Sequence, residues 1–165
     1  FPPDQVANLY IGRLDFTPAG QPVSLVDVRA PDLDRYPRFA QAMEAAMSVE
    51  LEPGDAIYVP SPWWHHVESM DRLNILINYF FSAVQIASEA PFACLVHAIQ
   101  ALRHLPPGER DAWKALLDHY VFETNGNPVE HLDGFGAGIL EPKDAAVRQQ
   151  IHQYLLGRMQ GGAGR

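Results

Sequence analysis

A chain of 165 residues, 47% of them hydrophobic, is long enough to bury a core, which favours one globular domain over a disordered chain. The formal net charge of −8 argues against a nucleic-acid or anionic-membrane partner, because either would need clustered Lys and Arg. The single cysteine, Cys94, excludes a disulfide within the chain, and no apolar run approaches the length of a membrane span. We therefore expect a cytoplasmic setting, with no nucleic acid and no membrane as partner.

The first half of the chain has the pattern of strands separated by turns. Residues 24–28 alternate apolar and polar side chains, which predicts a short strand, and residues 39–46 predict a short Ala-rich helix. Pro53-Gly54-Asp55 is a turn signal in which Asp55 caps its own backbone. Further strands are predicted where apolar, β-branched and aromatic residues are concentrated, at residues 56–59, 63–69 and 73–81.

The second half changes to the periodicity of helices. Apolar residues recur at a 3.6-residue spacing after Pro91, within residues 109–121 and after Pro142, which predicts three helices. The Gly-rich end, residues 161–165, is expected to be disordered. Cys94 lies in the first of these apolar stripes, which favours a buried structural thiol.

Two tryptophans and two histidines follow one another at residues 63–66. Because successive side chains of a strand point to opposite faces, His65 and His66 cannot both point into one site. At least one of the tryptophans is expected to fill the core, since burial dominates the energetics of aromatic side chains. Spacing alone leaves His65 either a core histidine or a metal ligand. It leaves Asn78 either a structural amide or a ligand contact, of which the structural amide is favoured.

The stretch from Pro53 to Ser69, PGDAIYVPSPWWHHVES, resembles the distal iron-ligand motif of the JmjC-type, cupin-like oxygenases. The closest subgroup includes the asparaginyl hydroxylase known as factor inhibiting hypoxia-inducible factor. Flanking segments add to the resemblance, which covers residues 1–82. These segments are FPPDQ at residues 1–5, NLY at 8–10, YPRF at 36–39 and NYF at 78–80.

For the fold, the resemblance implies class α+β. Residues 1–82 would be the C-terminal portion of a double-stranded β-helix, and residues 83–160 a three-helix C-terminal extension. Helices in that position commonly form a homodimer interface in the family, so a homodimer is expected. Because the chain opens within the family pattern, it is also expected to be the C-terminal part of a longer protein.

For function, the resemblance implies a non-haem Fe(II), 2-oxoglutarate-dependent oxygenase that hydroxylates a protein side chain or a small molecule. Matched by position, His65 is the distal iron ligand and Asn78 contacts the 2-oxoglutarate co-substrate, while His66 is either structural or a neighbour of the ligands that does not bind the metal. No residue is assigned as catalytic.

The His-x-Asp/Glu ligand pair of the family is not recognisable in this sequence. Its one His-x-Asp, residues 131–133, follows the distal histidine and lies in a Gly-rich loop, so the order and the context are both wrong. We therefore predict no tight Fe(II) site in this chain by itself. A non-catalytic cupin-like binding or dimerisation module stays open as the alternative.

Overall fold

The computed structural model describes residues 1–14, 21–81, 91–132, 137–141 and 145–161. The α-helices in these ranges are α1 (Phe39–Glu44), α2 (Pro91–Leu102), α3 (Pro107–Tyr120) and α4 (Ala145–Gly161), with 3-10 helices at Pro3–Ala7 and Gly138–Leu140. Contacts divide the chain into two compact units, Phe1–Asn78 and Tyr79–Arg165. The domains that the sequence predicts, with boundaries after residues 82 and 160, stay a prediction, and residues 162–165 of the expected tail lie outside the described ranges.

The first unit is built on a small buried cluster. Phe39 and Ala42 are fully buried, and Leu9 and Val26 nearly so. Phe39 and Ala42 are three residues apart on α1, so they lie on the same face of that helix. The short helix predicted over residues 39–46 is confirmed, and its role is to bring these two side chains to the cluster.

Ser24 joins the two loop segments that supply the rest of the cluster. It forms an isolated antiparallel bridge with Ile11. Its hydroxyl donates to the carbonyl oxygen of Leu9 at 2.6 Å and accepts from the backbone N–H of Val26 at 3.0 Å. One side chain thus satisfies the backbone of both buried residues, which would otherwise lose their hydrogen bonds to water.

Arg38 connects α1 to the N-terminal segment. Its guanidinium donates from Nε and Nη2 to the carbonyl oxygen of Ala7, at 3.2 and 3.0 Å, and lies 4.9 Å from the centre of the Tyr10 ring. Its backbone N–H donates to the Tyr10 hydroxyl at 3.0 Å. The Tyr10 ring in turn meets the Tyr36 ring edge to face, with centroids 5.0 Å apart. These contacts hold the segment that precedes α1 against the segment that carries Leu9.

The predicted α+β fold with a double-stranded β-helix is wrong for the residues that the structure describes. Within those ranges no strand is formed, and the segments predicted as strands have no ladder of hydrogen bonds. In residues 56–59 and 73–81 the apolar side chains are exposed, with Ile57 at 53%, Ile75 at 83% and Phe80 at 94%. High β-propensity means that a side chain fits a paired, half-buried surface. These two segments have neither the partner strand nor the burial, so propensity alone forms no sheet.

In the second unit, α2 and α3 occupy the segments where apolar spacing predicted helices. Each begins at a proline, Pro91 and Pro107, where the missing N–H costs no intrahelical hydrogen bond. Pro142, predicted to open the last helix, lies outside the described residues, and α4 is described from Ala145. Cys94 on α2 is exposed, so its predicted burial is wrong. Among the described helices, none combines the length and the apolar character needed to cross a membrane.

Candidate functional site

A tight turn precedes the Trp-Trp-His-His sequence. Gly54 has a φ of 102°, a left-handed conformation that side chains disfavour, which explains a glycine there. The Asp55 carboxylate accepts from the backbone N–H of Glu52 at 2.9 Å, and the Asp55 N–H donates to the Glu52 carbonyl at 3.0 Å. The prediction that Asp55 caps this turn is confirmed.

Trp64 attaches the motif to the first unit. The amino group of Phe1 donates to the Trp64 carbonyl oxygen at 2.9 Å, and the Trp64 N–H donates to the Phe1 carbonyl oxygen at 3.1 Å. The Trp64 side chain packs, partly buried, against the cluster that contains Phe39. The Phe1 ring lies 6.1 Å from the Phe39 ring. The sequence predicts that at least one tryptophan fills the core; Trp64 packs on the edge of the core and is not among its buried residues.

Two charged residues, Asp27 and Arg29, lie close to Glu68 of the motif. Glu68 Oε1 lies 3.8 Å from Nη1 of Arg29, whose Nε lies 3.5 Å from Oδ1 of Asp27. The backbone N–H of Arg29 donates to the same Asp27 oxygen at 3.0 Å. This hydrogen bond lowers the pKa of the Asp27 carboxyl below its ordinary value, and the positive charges of Arg29 and His66 act in the same direction.

Sequence reasoning missed Asp27 and Arg29 as neighbours of the motif. The hydrogen bond from the Arg29 N–H to Asp27 could have been predicted from the sequence, because an Asp side chain commonly accepts from the backbone two residues later. The ion pair with Glu68 had none, since it joins segments 39 positions apart in the chain. Only the folded arrangement of the first unit reveals it.

The two predicted site residues, His65 and Asn78, are both exposed. The Nδ1 atom of His65 lies 3.3 Å from the Trp63 carbonyl oxygen, so the contact that the structure describes uses one ring nitrogen. No described contact joins His65 to Asn78. Their roles as metal ligand and co-substrate contact stay predictions.

The iron that the predicted activity requires can be tested against these residues. Fe(II) sites of this type use two imidazoles and one carboxylate on one face of the metal. The described residues contain no group of three His, Cys, Asp or Glu side chains placed to hold a metal ion. His65 suits the chemistry of one ligand, but the full donor set is not present among them. Asp133 of the single His-x-Asp sequence lies outside the described residues.

Comparison with known proteins decides the family. Residues 1–86 match the family model of the cupin-like domain, which is more than half of the chain. The chain belongs to the cupin-like domain family. The match contains the buried cluster, the turn at Gly54 and the complete Trp-Trp-His-His sequence. The family that the motif predicted is thereby confirmed, although the described residues of this cupin-like chain form no sheet.

Several curated proteins resemble parts of this cupin-like chain. Human HSPB1-associated protein 1 is 40% identical over 78 residues, which are 47% of this chain and 15% of that protein. Lysine-specific demethylase 8 of Xenopus tropicalis is 36% identical over 59 residues, 36% of this chain and 13% of that protein. Mouse tRNA wybutosine-synthesizing protein 5 is 27% identical over 108 residues, 56% of this chain and 33% of that protein. No solved structure matches the chain.

Proposed function

We propose that this chain is part of a non-haem Fe(II), 2-oxoglutarate-dependent oxygenase that hydroxylates a protein side chain or a small molecule. The observation that carries the proposal is membership of the cupin-like family over residues 1–86. The resemblance of residues 53–69 to the distal iron-ligand motif, in which His65 matches the ligand by position, supports it. Two relatives are named as enzymes, a lysine-specific demethylase and a tRNA wybutosine-synthesizing protein, which supports an enzymatic activity. The chain spans 15% of the length of its human relative HSPB1-associated protein 1, so the proposal concerns the complete protein.

In this proposal His65 holds the iron and Asn78 contacts 2-oxoglutarate. Both side chains are exposed and can be reached by ligands. Iron and 2-oxoglutarate together supply the oxidising power for hydroxylation, with succinate and carbon dioxide as products. The described residues contribute one imidazole and not the full ligand set, so no chemical step is assigned to them.

A second proposal is a cupin-like module that binds or dimerises without catalysis. The supporting observation is the apolar surface of the second unit. On α2 and α3, large apolar side chains are 45–48% exposed. They are Phe92, Leu95 and Val96 on α2, and Trp113, Leu116 and Tyr120 on α3. A homodimer through these helices is compatible with either function.

The two proposals differ in whether 2-oxoglutarate is consumed. The complete natural protein is incubated with Fe(II), ascorbate and 2-oxoglutarate, and succinate formation is measured for the wild type and for His65→Ala. His66→Ala is the matched control, because it removes the neighbouring imidazole, which the resemblance does not match to the ligand. Loss of a metal ligand should reduce turnover by more than about 100-fold, since even outer partners of ligands cost about 10- to 100-fold.

Turnover that needs His65 and survives His66→Ala supports the oxygenase. Turnover unchanged in His65→Ala contradicts the assignment of the ligand. A wild-type protein that binds Fe(II) and 2-oxoglutarate but forms no succinate, or binds neither, contradicts the oxygenase and favours the binding or dimerisation module.

A further inference from the structure

One side chain of the motif, Trp64, packs on the core of the first unit. Over residues 47–81 the side chains are exposed, except at Pro60, Trp63 and Trp64. Of these three, only Trp64 packs against the buried cluster of Leu9, Val26, Phe39 and Ala42. A long exposed segment with a single partly buried apolar anchor depends on that anchor for its direction.

We propose that Trp64 is the positioning residue that fixes the direction of the His65 side chain. The backbone of Trp64 exchanges two hydrogen bonds with Phe1, the arrangement of a directly opposed antiparallel pair. These bonds fix the chain direction at Trp64, and the packed indole fixes rotation about that direction. Because His65 follows Trp64 directly, these two constraints also set the orientation of His65.

The described contacts give Trp64 and His65 different surroundings. Trp64 packs against the cluster, and Glu68 contacts Arg29. His65 is exposed, and its Nδ1 lies 3.3 Å from the carbonyl oxygen of Trp63. The constraint on Trp64 therefore reaches His65 through the backbone.

The ion pair between Arg29 and Glu68 is the competing anchor. Its side chains are 65% and 48% exposed, and the charged atoms are 3.8 Å apart. Exposed pairs of this kind contribute little, because water screens the attraction and two long side chains must be ordered. The partly buried indole of Trp64, packed against the cluster, is thus the stronger constraint on the motif.

The test measures the position of the motif without any metal. In the full 165-residue chain carrying Cys94→Ser, spin labels are attached to Glu44→Cys on α1 and Val67→Cys, two residues beyond His65. The distance between the labels is measured by pulsed electron paramagnetic resonance for Trp64, Trp64→Phe, Trp64→Leu and Trp64→Ala. Trp63→Ala is the matched control, a neighbouring tryptophan that is not among the side chains packed on the cluster.

We expect one narrow distance for Trp64, recovery of that distance in Trp64→Phe, and its loss to a broad distribution in Trp64→Leu and Trp64→Ala. Trp63→Ala should keep the narrow distance. Amide hydrogen exchange of Leu25 and Val26, whose N–H groups are hydrogen-bonded beside the cluster, reports in parallel whether the core stays folded. The role of His65 as a metal ligand rests on the proposed function, but the distances between the spin labels do not. The positioning by Trp64 and the proposed function can therefore fail independently of each other.

Three results would overturn the proposal. The first is a narrow distance retained in Trp64→Ala while the core is folded. The second is a distance lost equally in Trp63→Ala. The third is loss of the protection of the Leu25 and Val26 amides in every variant that loses the distance, Trp64→Leu included. Trp64 would then support the core as a whole and not the direction of His65.

Discussion

His65 offers one imidazole where an iron site of this kind needs two imidazoles and a carboxylate. We therefore expect the 165-residue chain to show no micromolar or tighter binding of Mn(II) or Fe(II) in anaerobic titration calorimetry. Weak binding that is equal in the wild type and His65→Ala would agree with this expectation. Micromolar binding that disappears in His65→Ala would contradict it, and would require further ligands near His65 in this chain.

Asp27 predicts a pH dependence with a definite sign. The Arg29 N–H bond lowers the pKa of the folded carboxyl, so the ionised form stabilises the first unit. That contribution is present above the unfolded pKa, about 3.9, and is lost as pH falls through the lowered folded value. Asp27→Asn should have a lower urea midpoint than the wild type at neutral pH, and the difference should vanish in acid.

The control for this measurement is Asp34→Asn, a substitution of another exposed aspartate in the same unit. It should leave the difference between neutral and acid midpoints close to that of the wild type. If the difference in urea midpoint between Asp27→Asn and the wild type persists or widens in acid, the carboxylate charge is not the source of that difference.

At the level of elements, α1 presents the one large side chain in the described residues that is completely buried, Phe39. Truncating a buried phenylalanine costs about 3–5 kcal/mol through lost burial and the cavity that remains. Because the core has four residues, this cost is a large part of the free energy of unfolding of the first unit. Phe39→Ala should therefore unfold the first unit or lower its urea midpoint sharply. Met43→Ala on the same helix, 41% exposed, is the control and should cost much less. If Phe39→Ala and Met43→Ala lower the urea midpoint equally, the buried cluster is not the main source of the stability of the first unit.

The segment of residues 73–81 predicts self-association. It carries no charge and no proline, and its apolar side chains are 59–94% exposed. An exposed, uncharged apolar segment of this kind is a template for pairing with another chain. Ile75→Lys with Ile77→Lys should slow the rise of light scattering and of thioflavin T fluorescence on concentration. Ile139→Lys, at a site 71% exposed in the other unit, should not, and an equal effect of it would contradict the segment as the cause.

Helices and strands differed in how far sequence could predict them. The hydrogen bonds of α2 and α3 join residues four apart, so the information that specifies them lies inside each segment. A strand over residues 63–69 needs a partner from elsewhere, and local propensity does not contain it. The family of the site could be predicted from the Trp-Trp-His-His sequence. Its attachment through Phe1 could not, because that contact spans 63 positions.

At the scale of the whole molecule, the second unit carries the surface that would join two copies. We propose a homodimer through α2 and α3. On α2, Leu95 and Val96 belong to an apolar stripe and are 48% and 47% exposed, and Leu116 on α3 is 45% exposed. Burying these half-exposed leucines between two copies would stabilise the dimer, by about 25 cal/mol for each Å² of apolar surface removed from water.

Leu95→Asp and Leu116→Asp should each convert the dimer to a monomer in sedimentation-velocity experiments over a concentration series, because a carboxylate buried without a partner is strongly unfavourable. Ala101→Asp is the matched control, since residue 101 lies on the opposite side of α2 from the stripe at a rotation of 100° per residue. Far-ultraviolet circular dichroism verifies that the helices persist in each variant. A wild-type chain that sediments as a monomer at every concentration, or dissociation caused equally by Ala101→Asp, would contradict the interface, because association would then not depend on the apolar stripe.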